Sequence, residues 1–242
     1  MTTKTPLQYV DFKALLGNAK RKSDPLWCRF IYRPVSFPVG WVLYKMGITA
    51  NIVSLFSIFL SFISFGMIVF GEGNTIIFAS LAMLLVSLAD CVDGNIARAR
   101  REAGPGGEWM DALSGYTVYA LLPLAIGVHI SLQNSSMVFP GFWVAIGALT
   151  AISNLFLRLV YQKYVNTIMT KINKTEDKGK GVILSKISGE FGLVGWMMPA
   201  LFISAIFNVL EFYLAFYCFF YLISACVITY VFARRIFDCS SE

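Results

Sequence analysis

Residues 90–115 read DCVDGNIARARREAGPGGEWMDALSG. Asp90 and Asp93 interrupt what is otherwise a long apolar helical run, and Asp111 opens the next apolar run. Carboxylates inside a membrane span are costly and mark function by default. On a helix Asp90, Asp93 and Ala97 fall at i, i+3 and i+7, so they share one face. Asp90 precedes Arg98 by eight residues, about 12 Å of helix at 1.5 Å per residue. The acids therefore sit below the headgroup level marked by the arginines, and Asp111 is expected at a similar depth after a turn at Gly104-Pro105-Gly106-Gly107.

The surroundings read as membrane. Hydrophobic residues make up 57% of the 242 and charged residues 14%, with mean hydropathy +0.67. A soluble domain carries about a quarter charged residues, so the expected class is an all-α polytopic membrane protein. Six spans of about 20 residues each are expected at Thr49–Phe70, Thr75–Arg98, Asp111–Ile130, Phe139–Tyr161, Phe191–Asn208 and Phe212–Ala233. Residues 1–24 are polar and basic, without the apolar run of a secretory leader. Pro25–Gly47 interleaves Trp27, Phe30, Ile31, Trp41 and Tyr44 with Arg29, Arg33 and Lys45, and Pro34 and Pro38 are expected to break any long helix there. It reads as an interfacial element, with packing of a juxtamembrane helix against the site as a refinement. The division is 1–47 cytoplasmic or interfacial, 48–236 membrane domain, and 237–242 a short tail.

Three connections, Gly71–Asn74, Gln133–Ser136 and Asn208–Glu211, contain no Lys or Arg. All 20 basic residues lie in the N-terminal segment, at 98–101, between 158 and 186, and at Arg234-Arg235. The positive-inside rule places both termini and the 90–111 region on the cytoplasmic side. The net charge of +6 then reports topology and asks for no nucleic-acid partner. The loop Gln162–Glu190, with Lys163, Lys171, Lys174, Lys178, Lys180 and Lys186, reads as a face on anionic headgroups or as a rim for an anionic substrate. Five cysteines show no metal-like spacing, and His129, the one histidine, reads as a satisfied or interfacial residue, which excludes histidine-based catalysis.

Clustered oxygen donors suit a hard divalent cation, and such an ion suits a phosphate-bearing substrate. Gly94 and Ala97 leave room beside the helix, and Arg98 can pair with phosphate. The same residues also allow plainer readings: arginines that set topology, a simple glycine turn, or the acids of a proton- or cation-coupled transporter. Against the transporter stand the clustering of acids at one face and the lack of a discontinuous helix in the second half.

Asp90, Asp93, Gly94, Ala97, Arg98, Gly107 and Asp111 match seven positions of D-x2-D-G-x2-A-R-x8-G-x3-D. This pattern resembles the CDP-alcohol phosphatidyltransferase family, and Ile48-Thr49-Ala50-Asn51 is similar to the family's Thr-Pro-Asn start of the first span, with Ala50 for proline. The resemblance implies transfer of a phosphate-linked group from a CDP-alcohol, with CDP-diacylglycerol favoured, to an acceptor hydroxyl with release of CMP. It implies Mg2+ or Mn2+, two ions, a site facing the cytoplasm in the cytoplasmic (inner) membrane, and a homodimer. By position Asp90, Asp93 and Asp111 would ligate the metals. Gly94, Ala97, Arg98 and Asn51 would contact the CDP moiety, and Gly107 would support the nucleotide site. The family's fourth aspartate, a metal ligand and general base, falls at Gly115. Glu108 is the expected substitute, with Glu102 and Tyr116 as further candidates; an acceptor that brings its own base, or a binding protein with weak turnover, are the other outcomes. Arg158, Lys163 and the 171–186 lysines are the candidates for a phosphorylated acceptor.

Overall fold

The computed structural model describes residues 7–17, 22–101, 104–133, 141–168 and 189–238, and these contain helices and no strand. A short α1 (Tyr9–Ala14) and a π-helical turn, Cys28–Tyr32, precede α2 (Arg33–Lys45). The apolar runs then form α3 (Ala50–Phe70), α4 (Asn74–Arg100), α5 (Pro105–Gln133) and α6 (Phe142–Ile168). A π-helical turn, Leu193–Met197, leads into α7 (Met198–Ile206), and α8 (Leu210–Asp238) closes the chain. Five helices, α3 to α6 and α8, are long and apolar enough to cross a membrane. This is an integral membrane protein.

Local signals explain the boundaries. Thr49 caps α3, its Oγ1 accepting from the Ile52 N–H at 3.4 Å. Helix α4 ends with Arg98 and Arg100 in its last turn, where cations complement the helix dipole, and with Arg101 in the left-handed region at φ 57°. Three expectations shift. The glycine-rich turn is instead the first turn of α5: Pro105 opens the helix, a position where its missing N–H costs nothing, and the N–H groups of Gly107 and Glu108 bond the Gly104 carbonyl. Pro38 does not break α2, which runs through it for 13 residues, and Arg33, Ser36, Phe37 and Gly40 of that helix are buried. The fifth expected span, Phe191–Asn208, is not one continuous helix. At Gly195 the backbone leaves helical geometry (φ −96°, ψ −133°), and a Cβ there would fall on the Glu190 carbonyl oxygen. The second half therefore does contain a discontinuous apolar element, contrary to the sequence reading. The connection 134–136 and most of the lysine-rich loop, 169–188, lie outside the described residues.

The apolar elements close into a ring. Helix α3 packs on α4, α4 on α7, α7 on α8, α8 on α6, α6 on α5, and α5 back on α3. The core runs along its inside through Met83, Val86, Val118, Leu122, Ile126, Leu201, Leu214 and Tyr217. Backbones approach most closely where α5 meets α6: a Cβ on Gly127 would fall on the Trp143 carbonyl oxygen, and one on Gly147 would lie 2.5 Å from that of Pro123. Small residues at such crossings let helices make the dispersion contacts that hold them together in lipid. Helix α2 lies outside the ring against α4.

Gly127→Ala is expected to lower stability by about 1–3 kcal/mol through overpacking, read as a lower unfolding temperature in detergent. Gly66→Ala, where an added Cβ meets nothing within 4 Å, is expected to leave that temperature unchanged or raise it.

Candidate active site

The last three turns of α4 and the first turns of α5 carry the motif. The connection between Arg100 and Pro105 is short, which holds these two ends together while α3 packs along both helices. Asp93 is 6% exposed, and the Ser54 hydroxyl of α3 donates to its Oδ2 at 2.7 Å. Asp90 is half-buried and Asp111 exposed, and both lie close enough to Asp93 to interact with it electrostatically. The three acids thus come to one region, with Asp93 deepest and Asp111 at the rim. Asp111 does not match the burial expected of it: α5 starts six residues earlier than the sequence suggested, which puts Asp111 in the second turn, yet the residue stays exposed.

Asn51 is exposed in the first turn of α3. Its neighbour Ala50 is buried with Val92 and Ile96 of α4, which brings Asn51 to the motif end of the bundle. Gly94 lies under Arg98: a Cβ on Gly94 would be 3.5 Å from both Arg98 Nη atoms. The Arg98 Nη2 donates to Asn95 Oδ1 at 2.8 Å, while its Nε is buried without a hydrogen-bond partner among the described residues. A buried, unpaired guanidinium N–H is costly and suits an anion that completes it. Ala97 and Gly107 are half-buried at the same end.

The N-terminal segment completes this wall. Arg33, 6% exposed, grips Asp24 through Nε at 2.7 Å and Nη2 at 3.2 Å. Burial is the largest single influence and works against the Arg33 charge, but its hydrogen bond to Asp24 together with the electrostatic influence of Cys91, Cys28 and Asp24 outweighs it and holds its pKa above the ordinary arginine value. The Cys28 and Cys91 thiols meet at 3.4 Å, buried, with Cys91 adjacent to Asp90 in sequence. Sequence reasoning missed Ser54, Asn95 and Asp24. A serine among apolar residues and an asparagine between motif positions carry no spacing signal of their own.

Glu108, Asp111 and Gly115 are at i, i+3 and i+7 on α5, which places them along one helix face. Glu108 is exposed in the first turn. At Gly115 an added Cβ would meet only Tyr119 Cε2, at 3.8 Å, so the missing fourth carboxylate leaves open space. Arg158 of α6 stacks on that same Tyr119, its guanidinium 3.7 Å from the ring centroid and its Nε donating to Asn154 Oδ1 at 3.1 Å. Tyr116 accepts from Gln162, Lys163 is exposed, and Glu102 with Lys171–Lys186 lie outside the described residues. Below this level the broken element is stitched across the ring. The Leu193 N–H donates to the Tyr119 hydroxyl at 2.9 Å, and the Leu193 carbonyl accepts from Ser87 at 2.9 Å. His129 is far from this chemistry, 4% exposed and hydrogen-bonded to the backbone of Ile68.

An all-oxygen donor set of three neighbouring carboxylates fits a hard divalent cation. Among the described residues no three acidic, histidine or cysteine side chains already converge on one ion position, so the acids are gathered in one region rather than closed on a point. The described cysteines are free thiols.

The geometry defines an integral membrane protein with an acidic, arginine-flanked site at one end of a helical ring. The model of the CDP-alcohol phosphatidyltransferase family matches residues 47–219, and the chain belongs to that family. Comparison with curated proteins gives no match. The motif and the ring through the first third of α8 fall within the family region, whereas Asp24, Arg33 and Ser36 precede it.

Ser54→Ala removes the one side-chain hydrogen bond seen on buried Asp93 and is expected to lower stability at neutral pH by about 1–3 kcal/mol, measured by thermal unfolding against wild type.

Proposed function

We propose that this protein transfers a phosphate-linked group from a CDP-activated alcohol to an acceptor hydroxyl, releasing CMP, in phospholipid or related lipid biosynthesis. The observation that carries this reading is the meeting of Asp90, Asp93 and Asp111 beside the incompletely bonded Arg98, within a chain of that family. A phosphoanhydride is opened chiefly by positioning and by neutralising charge on the phosphate oxygens. Asp90, Asp93 and Asp111 would hold Mg2+ or Mn2+, which supplies that neutralisation when bound. Arg98 supplies fixed donors for the diphosphate, with Gly94 and Ala97 leaving room for it, and Asn51 and Gly107 border the nucleotide. The ring presents six crossings in this reading, the fifth of them broken at Gly195, with the site toward the cytoplasm. CDP-diacylglycerol is the favoured donor, since a membrane-embedded site meets a lipid-linked donor in the bilayer itself.

The acceptor hydroxyl must lose its proton, and a positioned base contributes about 10^2–10^4 in rate. Glu108 is the base in this proposal. It is the carboxylate nearest Asp111 on the same face of α5, and its exposure at the rim suits an acceptor arriving from water. Arg158 serves a phosphate on that acceptor, because it stacks on Tyr119, the side chain that an added group at Gly115 would meet. The empty position also favours a second reading, a CDP-alcohol-binding protein of weak turnover.

CMP release from CDP-diacylglycerol, CDP-glycerol or CDP-choline against a panel of lipid and soluble acceptors tests the proposal. Asp93→Asn is expected to abolish release, and no CMP from any pair with Mg2+ or Mn2+ present overturns the enzymatic reading. Glu108→Gln is expected to lower kcat by at least about 100-fold, and Gly115→Asp, which the open space accommodates, to restore activity to that variant. An unchanged kcat in Glu108→Gln removes Glu108 from the mechanism. Arg158→Ala is expected to raise the acceptor KM about 10-fold or more, as loss of a charge-assisted hydrogen bond does; an unchanged KM removes Arg158 from the acceptor site.

A further inference from the structure

Two buried residues of the N-terminal segment, Arg33 and Ser36, reach the motif helix from outside the region that the family model matches, and a third, Asp24, holds Arg33. Asn95, between Gly94 and Arg98 in the motif, is 4% exposed. Its Oδ1 accepts from Arg98 Nη2 at 2.8 Å and from Arg33 Nη1 at 3.4 Å. Its Nδ2 donates to Ser36 Oγ at 3.0 Å, and Ser36 in turn donates to the Arg33 carbonyl at 3.1 Å. Ser36 is 0% exposed. The bond from Nδ2 to Ser36 fixes which way the amide faces, so its oxygen is committed to the two arginines. Asp24 neutralises Arg33, which lets two guanidinium groups share one acceptor in a buried place. The fit is close: a Cβ on Gly40 of α2 would sit 3.6 Å from Asn95 Cβ and 3.3 Å from Phe12.

We infer that Asn95, clamped by Arg33 and Ser36, is a positioning residue that aims Arg98 at the diphosphate of the donor nucleotide, so that residues 24–40 form part of the donor site. A long side chain loses rotamer freedom when it binds an anion, and holding it beforehand removes that cost. With one Nη2 hydrogen fixed to Asn95, the guanidinium plane is set and the unpaired Nε is left as the donor for a phosphate oxygen. The inference rests on the proposal that Arg98 contacts the CDP moiety.

The test is titration of the detergent-solubilised full chain with CDP and Mn2+ by calorimetry, in a double-mutant cycle. Arg98→Ala is expected to raise the CDP Kd by at least about 30-fold, and Asn95→Ala by about 10-fold, the size of one hydrogen bond to a charged group. Arg33→Lys keeps the charge but not the planar fork and is expected to raise Kd by about 3- to 10-fold. In the Arg98→Ala background Asn95→Ala is expected to add nothing, because it acts through Arg98. In turnover these variants raise the donor KM more than they lower kcat. Unfolding temperatures and elution profiles identify folded variants. Should Asn95→Ala fail to fold, Ser36→Ala, which removes only the partner of Nδ2, takes its place with an expected rise of about 3-fold. A CDP Kd within 2-fold of wild type for folded Asn95→Ala (or Ser36→Ala) beside a large rise for Arg98→Ala overturns the positioning role, as does multiplication of the two effects in the double variant. If wild type binds no CDP, or Arg98→Ala binds it unchanged, the assignment of Arg98 fails and the inference fails with it.

Discussion

A carboxylate inside an apolar helical bundle must find its hydrogen bonds from neighbouring helices, because lipid offers none. Asp93 meets that demand through Ser54, across 39 residues of sequence. That one bond requires the start of α3 to lie against the end of α4, and the rest of the interface follows from it. Ser57, Ser61 and Ser64 continue the buried face of α3, and their small side chains let the neighbouring helices come near. Ser57 and Ser61 satisfy their hydroxyls on carbonyls four residues back, so they can be buried without asking for a partner on another helix.

Polar groups gather at one end of the ring, and two irregular elements hold them there. The N-terminal segment covers α4 from outside, joining Asp24, Arg33 and Ser36 to Asn95 and placing Cys28 on Cys91. The broken element faces α4 and α5 from across the ring, where Leu193 bonds Ser87 and Tyr119. The two are themselves linked, since the Leu26 N–H donates to the Glu190 carboxylate at 3.0 Å. A regular helix has no free backbone groups to spend on such links. The interruption at Gly195, inside the π-helical turn Leu193–Met197, releases peptide groups, and the neighbouring side chains take them up.

Gly115 changes the electrostatics of the site as well as its shape. The position stands one turn beyond Asp111, where a carboxylate would share the region with three others. Across Tyr119 from that position, Arg158 lies over the Tyr119 ring and bonds Asn154.

The sequence by itself determined the family, the membrane class and the long spans, and it pointed to the stretch where the acids gather. Hydropathy and the positions of lysine and arginine are properties of residue order alone, and the seven motif positions lie within 22 residues, close enough for local spacing to carry them. Only the tertiary structure decided how the site is closed. The start of α5 depended on Pro105 fitting a first helical turn, against the turn signal of its glycines. The passage of α2 through Pro38 depended on burial of Phe37 and Gly40 against neighbouring elements. Ser54, Asn95 and Asp24 became visible only once helices distant in sequence were in contact, because a buried polar residue is recognised by its partner and not by its neighbours along the chain. The residues from Asp90 to Asp111 could be read from their order; what holds Asp93 and Arg98 in place could not, since those bonds come from other parts of the chain.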